Sequence, residues 1–572
     1  RLERRQEMKK AVPVIFTIVL IILLGAAVFG KKLISRYSYS KERADLNTYF
    51  GVKDDTDVPI TLQNDPLDVH AKLLDGSYYM DIDSVRTYLN SRFYEGKEDG
   101  TLVYTTPTAI ITATTGSGDW SGTDGSGQTE KYQIARYEGD TLYVALDYVK
   151  KYTNFEYAAY TDPNHMQIYT KWDARKVATI ARDTELRHKG GVKSDILKDL
   201  KKGDKVIILE KMDNWTKVKT EDAYIGYVEN KRLINTTEET PIGVTDYKEP
   251  TYTNITKSYK INMAWHVVAG AAGNSTLSSL MANTKSVNTV SPTWFSLKDN
   301  GGDITSFATS DYVSQAHNMG LEVWALVDNF SNKDVDSYEV LSHAQSRANL
   351  ISQLMNQVSQ YGLDGINVDF ENISEECGQS FIEFIRELSI ACRAQQVVLS
   401  VDNYVPLSIN DHYDRAEQGR VADYVVIMGY DEHYGGDKEA GSVASIDYVR
   451  NGIESTVKEV SPEKVINGVP FYTRIWTTAG GKVSSEAVGM AQANEYIKAH
   501  NISMKWDDTT CQNYGEYTDS NGALNQIWLE DADSIDAKLS VMSANNIAGV
   551  AEWRLGFETS DVWDKIAAYV GQ

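Results

Sequence analysis

The chain has 572 residues, more than one hydrophobic core can serve, so roughly three or four domains are expected. Its formal net charge is −23, from 57 Lys and Arg against 80 Asp and Glu. A nucleic-acid partner or an anionic membrane surface calls for clustered cations, so this balance argues against both. The three cysteines (Cys377, Cys392, Cys511) and nine histidines form no disulfide framework, zinc-ligand spacing or HExxH motif. No metal or cofactor is therefore expected, and stability must come from packed cores.

Residues 11–30 form a charge-free apolar run, AVPVIFTIVLIILLGAAVFG. About 20 helical residues cross a hydrocarbon core of about 30 Å. The preceding RLERRQEMKK is basic on balance and reads as a cytoplasmic tail, residues 1–10. The run ends GAAVFGKK with no small-x-small cleavage site, so an uncleaved anchor fits better than a removed signal peptide. The remaining chain is then expected outside the cytoplasm, facing the cell wall, and residues 31–51 read as a polar stalk.

Residues 52–172 contain an internal echo. Tyr79, Ile82, Asp83, Val85 and Tyr88 recur as Tyr143, Leu146, Asp147, Val149 and Tyr152, which predicts a short strand followed by a short helix, used twice. GSGDWSGTDGSGQ (116–128), between the copies, reads as a loop without core-forming residues. This stretch resembles the module named after the N-terminal domain of copper amine oxidases. Its only imidazoles are His70 and His165, so no copper site is expected. Residues 175–236 alternate β-rich runs with turn residues and predict a small barrel. Gly203, Asp204, Val206, Trp215, Val218, Gly226, Tyr227 and Val228 resemble bacterial SH3-like domains. Trp215 fits a core role and a binding role equally. Residues 237–257, with two prolines and little apolar content, read as a linker.

From 258 to 572 buried-strand runs alternate with helix-compatible segments: KINMAWHVV, VNTVSPTWFSL, EVWALVDNF, GINVDFE, VVLSVDNY, YVVIMGYDE, KVINGVPFYT and IAGVAEWRL. Eight such units predict an α/β fold, a (β/α)8 TIM barrel, whose chemistry belongs at the C-terminal ends of the strands. Glu371, Asp402, Asp431 and Trp553 stand there.

The fourth strand, LDGINVDFEN, carries the most chemistry. Side chains alternate with period two, so Ile366, Val368 and Phe370 face the helices while Asn367, Asp369 and Glu371 face the barrel mouth. Asp369 and Glu371 should lie within about 6–7 Å by strand rise. Like charges that close raise one pKa and keep one group protonated near neutrality, as a general acid requires. Asp364 has the wrong parity to join them and reads as structural. A metal site was the other use of paired carboxylates, but the pair has no imidazole cluster.

Asp364, Gly365, Asn367, Asp369 and Glu371 resemble the DGxDxDxE motif of family 18 glycoside hydrolases, with Asn367 where most members have Asp. A branch acting on peptidoglycan, similar to spore-cortex-lytic glucosaminidases, tolerates Asn there. The resemblance implies Glu371 as proton donor and Asp369 as the residue that polarises the substrate N-acetyl group. Met428, Tyr430 and Asp431 match the M-x-Y-D of strand six. GVPFYTRIW is close to GxPxYGR and puts Tyr472 and Arg474 at the cleft, and AEWR puts Trp553 under the distorted sugar. The SxGG of strand three is absent, and ALVDNF stands in its place. Trp265, Trp294, Trp324 and Trp476 read as packing residues, and Glu552 and Arg554 as a rim pair.

The implied activity is retaining, substrate-assisted hydrolysis of β-linked N-acetylglucosamine in peptidoglycan, with Glu371, Asp369 and Tyr430 catalytic. Asn367, Met428, Asp431, Tyr472, Arg474 and Trp553 would bind substrate. The alternatives are a chitin hydrolase and a non-catalytic carbohydrate-binding wall protein on the same barrel.

Overall fold

The structure, a computed structural model, describes residues 2–571; Arg1 and Gln572, the ends of the expected tail and barrel, lie outside the described residues. It divides into two compact units, residues up to 91 with 130–249, and residues 92–129 with 250–572.

The first unit begins with the helix Leu2–Tyr37, in which Val14–Tyr37 is long and apolar enough to cross a membrane. The helix runs past residue 30, into the expected stalk. The rest of that stalk is not free either: Leu46–Phe50 is helical, and Leu46, Tyr49 and Phe50 pack on the core of the small barrel behind them. The aromatic rings explain the difference, because Tyr49 also donates its hydroxyl to Ile225 O at 2.7 Å. The echoed motif forms the predicted pair. Strand Ser77–Asp81 leads into helix Ile82–Tyr88, and strand Thr141–Ala145 into helix Leu146–Val149. The two strands pair antiparallel, Val144 opposite Met80. His70 meets Asp57 at 2.9 Å, and both nitrogens of His165 are taken by backbone carbonyls.

The SH3-like barrel has seven strands, from Arg175–Ile180 to Leu233–Glu239. Val206, Val218 and Val228 are core, whereas Trp215 is half-buried. Gly226 is required by close approach, since a Cβ there would lie 2.6 Å from Arg187 O. Arg175 pairs with Glu239, so the last strand reaches past 236 and shortens the linker.

The second unit contains the predicted (β/α)8 barrel. Its strands are β1 (Ile261–His266), β2 (Thr289–Leu297), β3 (Glu322–Asp328), β4 (Gly365–Asp369), β5 (Val398–Tyr404), β6 (Tyr424–Met428), β7 (Val465–Pro470) and β8 (Gly549–Trp553). They pair in parallel in sequence order, and β8 closes on β1. All eight expected runs supply a strand. Gly365 opens β4 because a Cβ there would meet Trp324 at 2.8 Å. Between β7 and β8 the chain adds a five-stranded antiparallel sheet, Tyr472 to Leu529. Tyr472 and Arg474 therefore stand on the first strand of this insertion, Tyr472–Ala479, and not on β7, which ends at Pro470.

A second correction concerns residues 92–129. They form a five-stranded antiparallel sheet that belongs to the barrel's unit rather than to the surrounding 52–172 module. The expected Gly/Ser loop 116–128 contributes its strands Asp119–Gly122 and Gly127–Thr129. Buried ion pairs explain the docking. Arg92 Nε donates to Glu417 at 2.7 Å, and Arg386 Nε to the same oxygen at 2.8 Å. Arg386 also meets Glu383 at 3.0 Å, whose other oxygen accepts from Thr105. Tyr94 meets Ser380 at 2.9 Å, and Arg393 donates to Pro107 O. Burial would raise the Glu417 carboxyl, but Arg386 and Arg92 hold it below its usual value. Its contribution to stability is therefore present above the ordinary carboxylate range and lost as pH falls through the depressed value. Arg92→Ala should destabilise the barrel by about 3–5 kcal/mol, because it leaves a buried carboxylate under-paired. A thermal scan with limited proteolysis checks this; an unchanged barrel transition would contradict it.

Candidate active site

The three side chains of β4 stand as their parity requires. Phe370 packs against Phe381 and Phe384 on the helix side. Asn367 and Asp369 are buried on the interior side, and Glu371 is half-buried just beyond the strand end. Asp364 lies at the opposite end of the strand, accepting from Val323 N at 2.8 Å and meeting His317 at 2.7 Å, a structural role.

Glu371 is held at backbone and side chain. Asn329, just after β3, clamps its peptide: Glu371 N donates to Asn329 Oδ1 at 2.8 Å, and Asn329 Nδ2 donates to Glu371 O at 2.9 Å. The Tyr404 hydroxyl donates to Glu371 Oε2 at 2.8 Å and accepts from Asn372 N at 3.2 Å. Burial raises the pKa of Glu371; the Tyr404 hydrogen bond opposes this, while Asp431 and Asp328 add to it. Asp369 is raised well above the carboxylate range, first by burial, then by the charges of Asp402, Glu371 and Asp328. Its Oδ1 is buried with no hydrogen-bond partner among the described residues. A half-buried acid beside a buried carboxyl with an unused acceptor can protonate a leaving group and receive an amide N–H.

Aromatic rings line the same end of the barrel. Trp265 lies edge-on to Trp553 at 5.8 Å and to Tyr430 at 6.5 Å. Burial keeps the Tyr430 phenol neutral. Tyr430 in turn faces Tyr472 at 6.3 Å, and Tyr472 donates to Asp431, a residue in the left-handed backbone region with φ 58°. Met428 is at the end of β6, paired with Tyr404. Arg474 bonds Ser485 at 3.1 Å and packs by Gly435.

Trp294, Trp324 and Trp476 are packing residues, as expected; Trp265 is fully buried too, but its indole N–H reaches Asn367 at 3.0 Å. Glu552 and Arg554 do not pair. Glu552 is fully buried with neither oxygen hydrogen-bonded among the described residues, and Arg554 lies 4.0 Å from the Phe557 ring. β8 ends at Trp553, so Arg554 lies beyond the strand and does not share the face of Glu552. Asn329 and Tyr404 were missed in the sequence; the inward parity of Tyr404 with Asp402 on β5 was a signal for the second, whereas Asn329, one past the inward Asp328, gave none.

Three comparisons bear on this site. Residues 183–234 match the Bacterial SH3 domain family. The chain is 26% identical over 296 residues to the uncharacterized glycosylase YvbX of Bacillus subtilis (strain 168), covering 49% of this chain and 84% of that protein. It is 28% identical over 234 residues to the cortical fragment-lytic enzyme of the same organism, covering 39% of this chain and 54% of that protein, about half its length. The crystal structure of a chitinase from Chromobacterium violaceum superposes with a TM-score of 0.50 at 22% identity, over 55% of this chain and 99% of that one, which supports the fold. Residues 244–558, more than half of the chain, match the Glycosyl hydrolases family 18, and the chain is a member of that family of glycoside hydrolases.

Proposed function

We propose that the chain cleaves β-linked N-acetylglucosamine bonds of peptidoglycan by substrate assistance, with Glu371 as general acid and then base. The observation that carries this reading is the Glu371–Asp369 arrangement: an acid of raised pKa held by Tyr404 and Asn329, beside a buried carboxyl with a free acceptor. Glu371 protonates the leaving oxygen as the C1–O bond breaks. The acetamido oxygen of the substrate attacks C1 and forms an oxazolinium ion, whose N–H faces Asp369 and whose amide Tyr430 steadies. Water then adds at C1 and returns its proton to Glu371, with retention. Asp431, Tyr472, Arg474, Met428 and Asn367 shape the sugar site, and Trp553 offers its ring face to the pyranose.

Peptidoglycan is favoured over chitin by the SH3-like barrel and by the similarity to a cortical fragment-lytic enzyme. The helix Val14–Tyr37 supports an anchored enzyme whose folded units face the wall. The test uses the full chain in detergent, with purified peptidoglycan and chitin oligomers offered separately. New N-acetylglucosamine reducing ends should appear faster from peptidoglycan, and the activity should sediment with membranes. No release from either glycan would refute the reading, and faster release from chitin would reverse the substrate.

A further inference from the structure

Asn367 cannot titrate, and its amide is locked in one orientation. The Trp265 indole N–H donates to Asn367 Oδ1 at 3.0 Å, and the Ser291 hydroxyl donates to the same oxygen at 3.1 Å. An indole can only donate, so the amide oxygen must face Trp265 and the NH2 must face away. There Nδ2 donates to Ser400 Oγ at 3.0 Å and to Asp402 Oδ1 at 2.8 Å. Asp402 stands on β5, next to β4, and Val368 pairs with Val401, so Asp369 and Asp402 occupy the next rung, both facing the interior. Both are buried, at 5% and 2% exposure.

The charges acting on Asp369 are those of Asp402 on β5, Glu371 on β4 and Asp328 on β3, all of one sign; Asp402 faces Asn367 and Glu371, and Tyr430 on β6 feels both aspartates. Burial raises both carboxyls, Asp402 to about 8, and two like charges so placed do not form together, so the ionised state of the pair is one in which they hold one proton between them. The hydrogen bonds say which carries it. Asp402 accepts from the Asn367 amide, which favours its anion, whereas Asp369 Oδ1 has no donor among the described residues. In the resting site the proton belongs on Asp369.

We propose that Asp402 is the positioning residue that takes this proton: the carboxyl that Asn367 lacks stands on the neighbouring strand, and Asp369 hands its proton to Asp402 as positive charge develops on the substrate acetamido group. The inference rests on the substrate-assisted reading above. In the step, the Asp369 O–H bond breaks with its electron pair left on Asp369, and a new O–H bond forms on Asp402. The pair keeps one negative charge throughout. Asp369 becomes the anion beside the oxazolinium N–H, and the proton returns when water opens that ring.

The test compares Asp402→Asn with the swap Asn367→Asp/Asp402→Asn in the full chain. Asp402→Asn should lower kcat by about 10²-fold with KM little changed. In the wild type the acid limb of kcat against pH reports proton uptake by Asp402; in the variant the buried Asp369 must lose its proton outright, so that limb should move up. The swap exchanges donor and acceptor across the same 2.8 Å contact and should recover at least about tenfold over the single variant. A thermal scan checks folding. If the single variant does not fold, the swap carries the test, and a folded, inactive swap overturns the proposal. Wild-type kcat and pH profile in Asp402→Asn would also overturn it while leaving the glycosidase reading intact. A wild-type chain that cleaves no N-acetylated glycan would remove that reading, and this proposal with it.

Discussion

Glu371→Gln should lower kcat by about 10²–10⁴-fold while KM stays close to wild type. The amide fills the same space and still accepts from Tyr404, which bonds Glu371 Oε2 at 2.8 Å, so the sugar site keeps its shape. What is lost is the proton, and no other raised acid stands at the strand end with its backbone clamped as Asn329 clamps Glu371. Asp369→Asn should lose most activity too, because an amide cannot become the anion facing the oxazolinium ion. The pH profile separates the two roles. Glu371 works protonated, so activity falls as pH rises through its raised pKa. Asp369 becomes the anion at the oxazolinium stage only by passing its proton to an ionised Asp402, so activity falls as pH drops and Asp402 takes up a proton of its own. Tyr404→Phe removes the hydrogen bond that opposes the rise of Glu371, so the basic limb should move to higher pH. Near-wild-type turnover in Glu371→Gln would show that another group supplies the proton.

The catalytic face was legible in the sequence because it is a local property. Period-two alternation separates Phe370, packed on Phe381 and Phe384, from Asp369, and no partner strand is needed to know it. The echoed strand–helix unit was legible for the same reason. What failed was non-local. ALVDNF looks like a mismatch until β3 is laid beside β4, when Asn329 meets the peptide of Glu371. VDNY shows a strand end, but only the pairing of β5 with β4 reveals that Asp402 bonds Asn367 and Tyr404 bonds Glu371. Residues 92–129 are Gly- and Ser-rich near their end and sit between two halves of another module, so composition assigned them there. Arg92 finds its carboxylate 325 positions away. The Glu552–Arg554 expectation failed for a simpler reason: residues two apart face the same side only on a continuous strand, and β8 ends at Trp553.

Removing the acetyl group from the sugar at the cleaved bond should abolish turnover, by orders of magnitude. In the proposed scheme the nucleophile is the acetamido oxygen, and an amine cannot form the oxazolinium ion. Deacetylation also leaves Asp369, whose Oδ1 has no partner among the described residues, without its N–H donor. An unpaired buried polar group alone costs about 1–3 kcal/mol, roughly a 5–150-fold effect. Losing the nucleophile as well should exceed that, so the size of the drop distinguishes a lost contact from a lost reactant. A thiazoline mimic of the cyclic intermediate should inhibit, since a catalytic site favours transition-state-like species over substrate. The rival is a conventional retaining enzyme, which needs a second carboxylate about 5 Å from the acid and forms a sugar ester on it. Asp369 is the residue on which that ester would form. It is the less suited for being buried among Asp402, Glu371 and Asp328, where its raised pKa keeps it protonated and a poor nucleophile. Rates should be measured on matched acetylated and deacetylated glycans, and the stalled enzyme analysed by mass spectrometry. Equal rates, or a sugar trapped on Asp369, would replace the substrate's nucleophile with the protein's.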